Sequence, residues 1–144
     1  MPCASRACAL TPGYRFALTA HFFSPKYGGT GSLRADNPNL LEAMLANGWD
    51  IVYGVDVAGS DWGDGTLDTG VVDVQLDAAG NPVGGYGGHA MLLVGYNRVG
   101  QCFIFENSWG PDAGHSGYVH LSYDYIQVYG KYGYAVMAVT GPDL

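Results

Sequence analysis

Three short stretches hold the residue types for hydrolytic chemistry: Gly87-Gly88-His89-Ala90, Glu106-Asn107-Ser108-Trp109-Gly110 and Gly114-His115-Ser116-Gly117-Tyr118. His89 heads a strongly apolar run, HAMLLVGY, and Asn107 ends the next one, CFIFE. Side chains alternate along a strand, which puts Phe103, Phe105 and Asn107 on one face and Cys102, Ile104 and Glu106 on the other. If the two strands pair, an amide oxygen can accept a proton from one imidazole nitrogen and fix the tautomer. The other nitrogen is then free to act as a base. An indole at Trp109 would exclude water and strengthen that hydrogen bond. This is the supporting part of a Cys-His-Asn arrangement, in which imidazole converts a thiol to the reactive thiolate.

The elements that must position these residues are short. Asp36 or Asn37 can cap a helix, Pro38 suits its first turn, and Gly48 can end it in a left-handed conformation. Leu40, Leu41, Met44 and Leu45 give that helix one apolar stripe. Strands are expected over Tyr14–Phe23, Ile51–Val57, His89–Tyr96, Cys102–Glu106, Gly117–Ser122 and Tyr134–Thr140, with a short one at Val71–Leu76 inside a glycine- and aspartate-rich connection. One main helix followed by a meander of antiparallel strands predicts an α+β domain built on a small barrel or sandwich. Residues 1–35 are poorly signalled, and the domain is expected over 36–144.

At 144 residues the chain suits one core. It has 23 glycines, 11 tyrosines and only six lysines and arginines, which favours strands and turns over long helices. A net charge of −7 argues against nucleic acid or anionic membrane as the partner, since both need a basic face. No apolar run before Thr11 is long enough for a secretory signal, and none reaches the roughly 20 residues of a membrane span. A soluble protein is expected; the compartment is open.

Other reactive residues read more plainly as structure. Cys3 and Cys8 are weak candidates for a nucleophile, because Pro2 and the Pro12-Gly13 break leave little room for a supporting helix. Cys102 reads as a small buried hydrophobe. His115 and His120 lack the companions of a closed zinc site, so no metal is expected. Asp61, Asp64 and Asp68 read as a solvated acidic loop. The run Gly84-Gly85-Tyr86-Gly87-Gly88 has no lysine or helix start after it, so it reads as a flexible approach to His89 and not a phosphate cradle.

The run HAMLLVGY…FIFENSWGPDAGHSGYVHL resembles the histidine and asparagine motifs of the papain-like (C1) cysteine peptidases, and the spacing from Asn107 to Tyr118 matches without a gap. The upstream LLEAMLANGWDIVYGVDV is similar to the family's helix and strand entering its second domain. Tyr123-Asp124-Tyr125-Ile126 resembles a segment of bacterial members. The resemblance implies the antiparallel barrel half of the papain-like fold, with His89 as general base and Asn107 as its orienter. Trp109 would shield the pair, and Ala90 and Gly88 would lie at the substrate. The family's Gln…Cys-Gly-x-Cys-Trp nucleophile motif has no match in residues 1–35, and Ala113 stands where the family carries a second tryptophan. The expectation is a member inactive alone, a pseudopeptidase or half of a split enzyme. The alternatives are an active thiol hydrolase using Cys3 or Cys8 and a non-catalytic binding module. Expected partners are a peptide or protein at the cleft face, a second chain supplying the nucleophile, or another copy; no cofactor is required.

Overall fold

The computed structural model describes residues 17–23 and 35–140, with side chains from 35 to 135. Helix α1 (Pro38–Ala46) begins where Asn37 accepts the Asn39 N–H at 3.1 Å, and ends before Gly48 at φ 84°. Proline costs nothing in that first turn, because its missing N–H would have no partner in the helix. Leu41 and Met44 are buried beneath it.

Six strands follow the hydrophobic alternation: β1 (Ala17–Phe23), β2 (Ile51–Ala58), β3 (Gly85–Asn97), β4 (Cys102–Glu106), β5 (Tyr118–Ser122) and β6 (Gly130–Thr140). They form one antiparallel sheet in the order β1-β6-β2-β3-β4-β5. Directly opposed residues Val119, Phe105, Leu93, Ile51 and Ala135 make a row across five strands, each 0 % exposed. The next row, Tyr118, Glu106, Leu92, Val52 and Tyr134, lies on the other face, where Tyr118, Val52 and Tyr134 are exposed. A one-residue slip would exchange these rows, so burial of the first fixes the register.

Short helices α2 (Thr66–Thr69) and α3 (Tyr123–Tyr129) complete the chain. Tyr125, Ile126 and Tyr129 of α3 join Leu41 and Met44 of α1 in the core on one face of the sheet. The α+β class and antiparallel pairing agree with expectation, but the sheet is open and does not close into a barrel. Its edges are β1, which falls in the segment 1–35, and β5.

One local expectation changes. Val71–Leu76 is not a strand: only Val72 bridges Leu121 in parallel, and Leu76 bridges Pro82. The Asp73 carboxylate takes the Val74 N–H at 2.7 Å and the Ser122 hydroxyl at 2.6 Å, diverting the backbone from a ladder. Tyr123–Ile126 is helical, because the Ser122 hydroxyl accepts the Tyr125 N–H at 2.9 Å and so caps α3.

Glu42 of α1 is buried and holds three elements together. Its carboxylate accepts from Arg98 Nε at 2.6 Å and from the Tyr123 hydroxyl. The Tyr123 bond, aided by Arg98 and opposed by burial, keeps the carboxyl below its usual range. No helix among the described residues is long and apolar enough to cross a membrane.

Candidate active site

His89 lies on β3 directly opposite Val55 of β2, and Asn107 immediately follows β4. The Asn107 N–H donates to the Gly117 carbonyl at 2.9 Å, so the chain is still held as it leaves the strand. His89 Nε2 and Asn107 Oδ1 are 2.8 Å apart. The Ser108 backbone N–H also points at Oδ1, at 2.8 Å. An N–H donor can face only the oxygen of an amide, so this contact fixes which atom of Asn107 is which. The second lone pair of that oxygen then accepts a proton carried on His89 Nε2. Nδ1 is left as the basic nitrogen of the neutral ring.

Aromatic rings enclose the pair. Trp109 stacks on His89 with centroids 4.8 Å apart and planes at 27°. Trp62 meets both edge-on, at 6.1 Å from each. Trp62 is buried, whereas Trp109 is half-exposed. Trp62 in turn donates its indole N–H to the Tyr125 hydroxyl at 2.8 Å. That hydroxyl also accepts the Ala58 N–H at 2.9 Å and donates to the Asp56 carbonyl at 2.8 Å. Burial pushes the Tyr125 phenol up to about 12, so it remains a donor throughout the neutral range. The Tyr125–Trp62–Trp109 stack thereby fixes a low-dielectric wall against the His89–Asn107 hydrogen bond.

Ala90 is exposed on the face opposite His89 and lines two depressions. One, of about 290 Å³, lies among Gly54, Gly88, His89, Lys131 and Tyr132. The other, of about 360 Å³, lies among Val52, Leu92, Glu106, Asn107 and Ser108. Gly54 has no side chain because the Tyr132 ring folds over it; a Cβ there would overlap the ring. Lys131 is ion-paired with Asp56 at the rim of the first depression. One polar atom stands out: Asn107 Nδ2 is buried with no acceptor among the described residues.

The expected residues His89, Asn107, Trp109, Gly88 and Ala90 are therefore neighbours. Cys102 is buried on β4, and burial pushes its thiol up, which suits an inert side chain. Cys3 and Cys8 lie outside the described residues. His115 donates from Nε2 to the Gly70 carbonyl at 2.9 Å and stacks on His120. Asp64 accepts the Thr66 N–H and Asp68 the Gly114 N–H, while Asp61 accepts from Gln75. These acidic residues pin the loops around α2, and no cluster of three or more metal-ligating side chains occurs among the described residues. Trp62 did not stand out in the sequence, and Tyr125 did so only as part of the Tyr123–Ile126 segment, with no role at the site. The signal for Trp62 was its place just past the end of β2, the strand that pairs with His89.

The Papain family cysteine protease model matches residues 27–140, most of the chain. The chain belongs to the papain family of cysteine proteases. It is 30 % identical to xylellain, a cysteine protease from Xylella fastidiosa, with a TM-score of 0.56 over 73 % of this chain and 38 % of that one. It is 33 % identical over 86 residues to the uncharacterized peptidase C1-like protein L477 of Acanthamoeba polyphaga mimivirus, covering 60 % of this chain and 26 % of the relative. The bromelain protease of Ananas comosus, solved with the inhibitor E64, shares the fold at 16 % identity, with a TM-score of 0.51 over 82 % of this chain and 50 % of that one. The papain-family chain described here thus spans about a quarter to a half of the length of these relatives.

Proposed function

We propose that this chain supplies the base half of a thiol-dependent peptide-hydrolysing site, and that the cysteine comes from a nucleophile-bearing half that docks beside the His89–Asn107 pair. The observation that carries this reading is the His89–Asn107 pair, whose oxygen is identified by Ser108 and whose free imidazole nitrogen is Nδ1. Two further features support it. Trp109, which stacks on His89, is half-exposed, so an apolar surface beside the pair is open to a covering partner. The buried Asn107 Nδ2 lacks an acceptor among the described residues, a cost that an arriving chain can relieve.

In this mechanism Nδ1 of His89 takes the thiol proton, and the thiolate attacks the scissile carbonyl carbon. The imidazolium, held by Asn107 Oδ1, then gives that proton to the departing amine as the C–N bond breaks and a thioester remains. His89 next removes a proton from water, the resulting hydroxide attacks the thioester, and the acid product leaves as the thiol is restored. Trp109 and Trp62 keep bulk water from the Nε2–Oδ1 bond throughout. On its own the chain is expected to be inactive.

An epoxide probe of papain-family thiols, with mass mapping of the labelled residue, tests this on the chain alone and on the chain in lysate. The expected result is no labelling of these 144 residues alone, and labelling that depends on them of a cysteine that lies outside them. Labelling of Cys3 or Cys8 that vanishes in His89→Ala would instead make the chain a self-sufficient hydrolase. Silence in both settings would leave a binding module.

A further inference from the structure

Two of the four histidines, His115 and His120, lie face to face, with ring centroids 4.2 Å apart and planes at 20°. His120 sits on β5 opposite Ile104, and His115 sits in the loop that runs from Gly110 to the start of β5. Both are half-buried. His115 donates from Nε2 to the Gly70 carbonyl at 2.9 Å, and the His120 carbonyl accepts the Val72 N–H at 2.8 Å. The pair thus ties the loop both to β5 and to the segment just past α2.

That loop is tightly wound and reaches the base. Gly110, Gly114, Ser116 and Gly117 all have φ between 56° and 95°. A left-handed backbone costs serine more than glycine, so Ser116, at 56°, stays there only while its surroundings hold it. At the end of the loop the Gly117 carbonyl accepts the Asn107 N–H at 2.9 Å. Whatever moves Gly117 therefore moves the support of the amide that orients His89.

Protons decide whether the stack holds. A neutral imidazole can lie on an imidazolium, but two imidazoliums this close repel. The acidic groups on the surrounding elements are engaged elsewhere. Asp68 of α2 accepts the Gly114 N–H, and Asp73 takes the Val74 N–H and the Ser122 hydroxyl. Glu106 of β4 lies opposite Tyr118, one row from His120. Neither these carboxylates nor Asp112 and Tyr118 bond to either ring among the described residues. Burial, and after it the charge of His115, holds the His120 imidazole below its usual range.

We infer that the His115–His120 stack is an acid-operated latch on the base: a second proton parts the rings, frees the 110–117 loop and slackens the hold on Asn107. The latch stands on this geometry, and its consequence for hydrolysis rests on the proposed function. With the rings apart His120 regains an ordinary affinity for protons, so opening is linked to proton uptake. The closed loop is favoured above about pH 6.5 and loses ground as the pH falls below that value.

The test is native-state amide exchange on the full chain, read as protection factors so that the intrinsic pH dependence of exchange cancels. From about pH 7.5 to about pH 5, protection at Asn107, His115 and Gly117 should fall at least about tenfold, while Leu93 and Phe105 in the sheet hold within about twofold. His120→Phe keeps a ring in the stack that takes no proton, and His115→Gln keeps a donor for the Gly70 carbonyl. In either variant the acid-induced loss should shrink to within about twofold. Nitrogen-15 NMR titration of the two imidazoles, which needs no substitution, should show the second protonation moving together with the Gly117 amide. Loop protection indifferent to pH, or an equal acid loss in a folded variant lacking one imidazole, would overturn the latch. So would a titration in which both rings gain protons while the Gly117 amide stays still. None of these failures would touch the His89–Asn107 base, which thiol labelling at neutral pH reads separately.

Discussion

Replacing His89 by alanine should lower peptide hydrolysis by the assembled, cysteine-bearing protein by about 10²–10⁴-fold, the range that a positioned general acid–base contributes. The physical reason is that the thiol loses its proton acceptor and the leaving amine its donor in one change. Asn107→Ala removes only the oxygen that holds Nε2–H, 2.8 Å away, so the ring can rotate or carry its proton on Nδ1. Its loss should be smaller, but should fall on kcat more than on KM, because substrate contacts remain. The comparison is made by steady-state kinetics on variants whose thermal midpoints match the parent. An activity in His89→Ala within a few-fold of the parent would remove His89 from the reaction.

Phe105→Ala should destabilise the fold by about 3–5 kcal/mol, the usual cost of emptying a buried aromatic site. Phe105 is 0 % exposed in the row with Val119, Leu93, Ile51 and Ala135, and its ring lies 5.7 Å from that of Tyr53. Against a typical domain stability of about 5–15 kcal/mol, such a loss leaves a substantially unfolded population at modest denaturant. The site should suffer with it, since Asn107 is two residues further along the same face. Urea titration followed by tryptophan fluorescence checks this, with exposed Glu106→Ala as the neighbouring control. Equal midpoints for the two variants would contradict the register described above.

Much of the site was legible because it depends on short-range rules. Alternation along CFIFEN put Asn107 on the same face as Phe103 and Phe105, and the two phenylalanines are indeed buried. Cap residues marked α1, where Asn37 makes the expected bond to Asn39 N–H. The papain-like spacing from Asn107 to Tyr118 corresponds to a loop pinned by His115 N–H to the Tyr118 carbonyl at 2.7 Å and by Gly114 N–H to Asp68.

What stayed hidden depends on distant partners. YDYIQVY has the aromatic content of a strand, and only the Ser122 cap and burial of Tyr125, Ile126 and Tyr129 make it helical. Trp62 belongs to the site through Tyr125, 63 residues away in sequence, a link that no local pattern carries. Val71–Leu76 carries alternating apolar residues, yet side-chain bonds from Asp73 and a single bridge at Val72 hold it outside the sheet ladder. The open sheet likewise follows from which strands meet, and β1 and β5 do not.

The central claim is that Asn107 holds His89 with its proton on Nε2 and Nδ1 free. Long-range proton–nitrogen NMR of the imidazole, recorded where the ring is neutral, reads this directly. The account predicts a protonated Nε2 and a bare Nδ1, with the tautomer preference weakened in Asn107→Ala. A proton on Nδ1, or a tautomer ratio indifferent to Asn107→Ala, would contradict it.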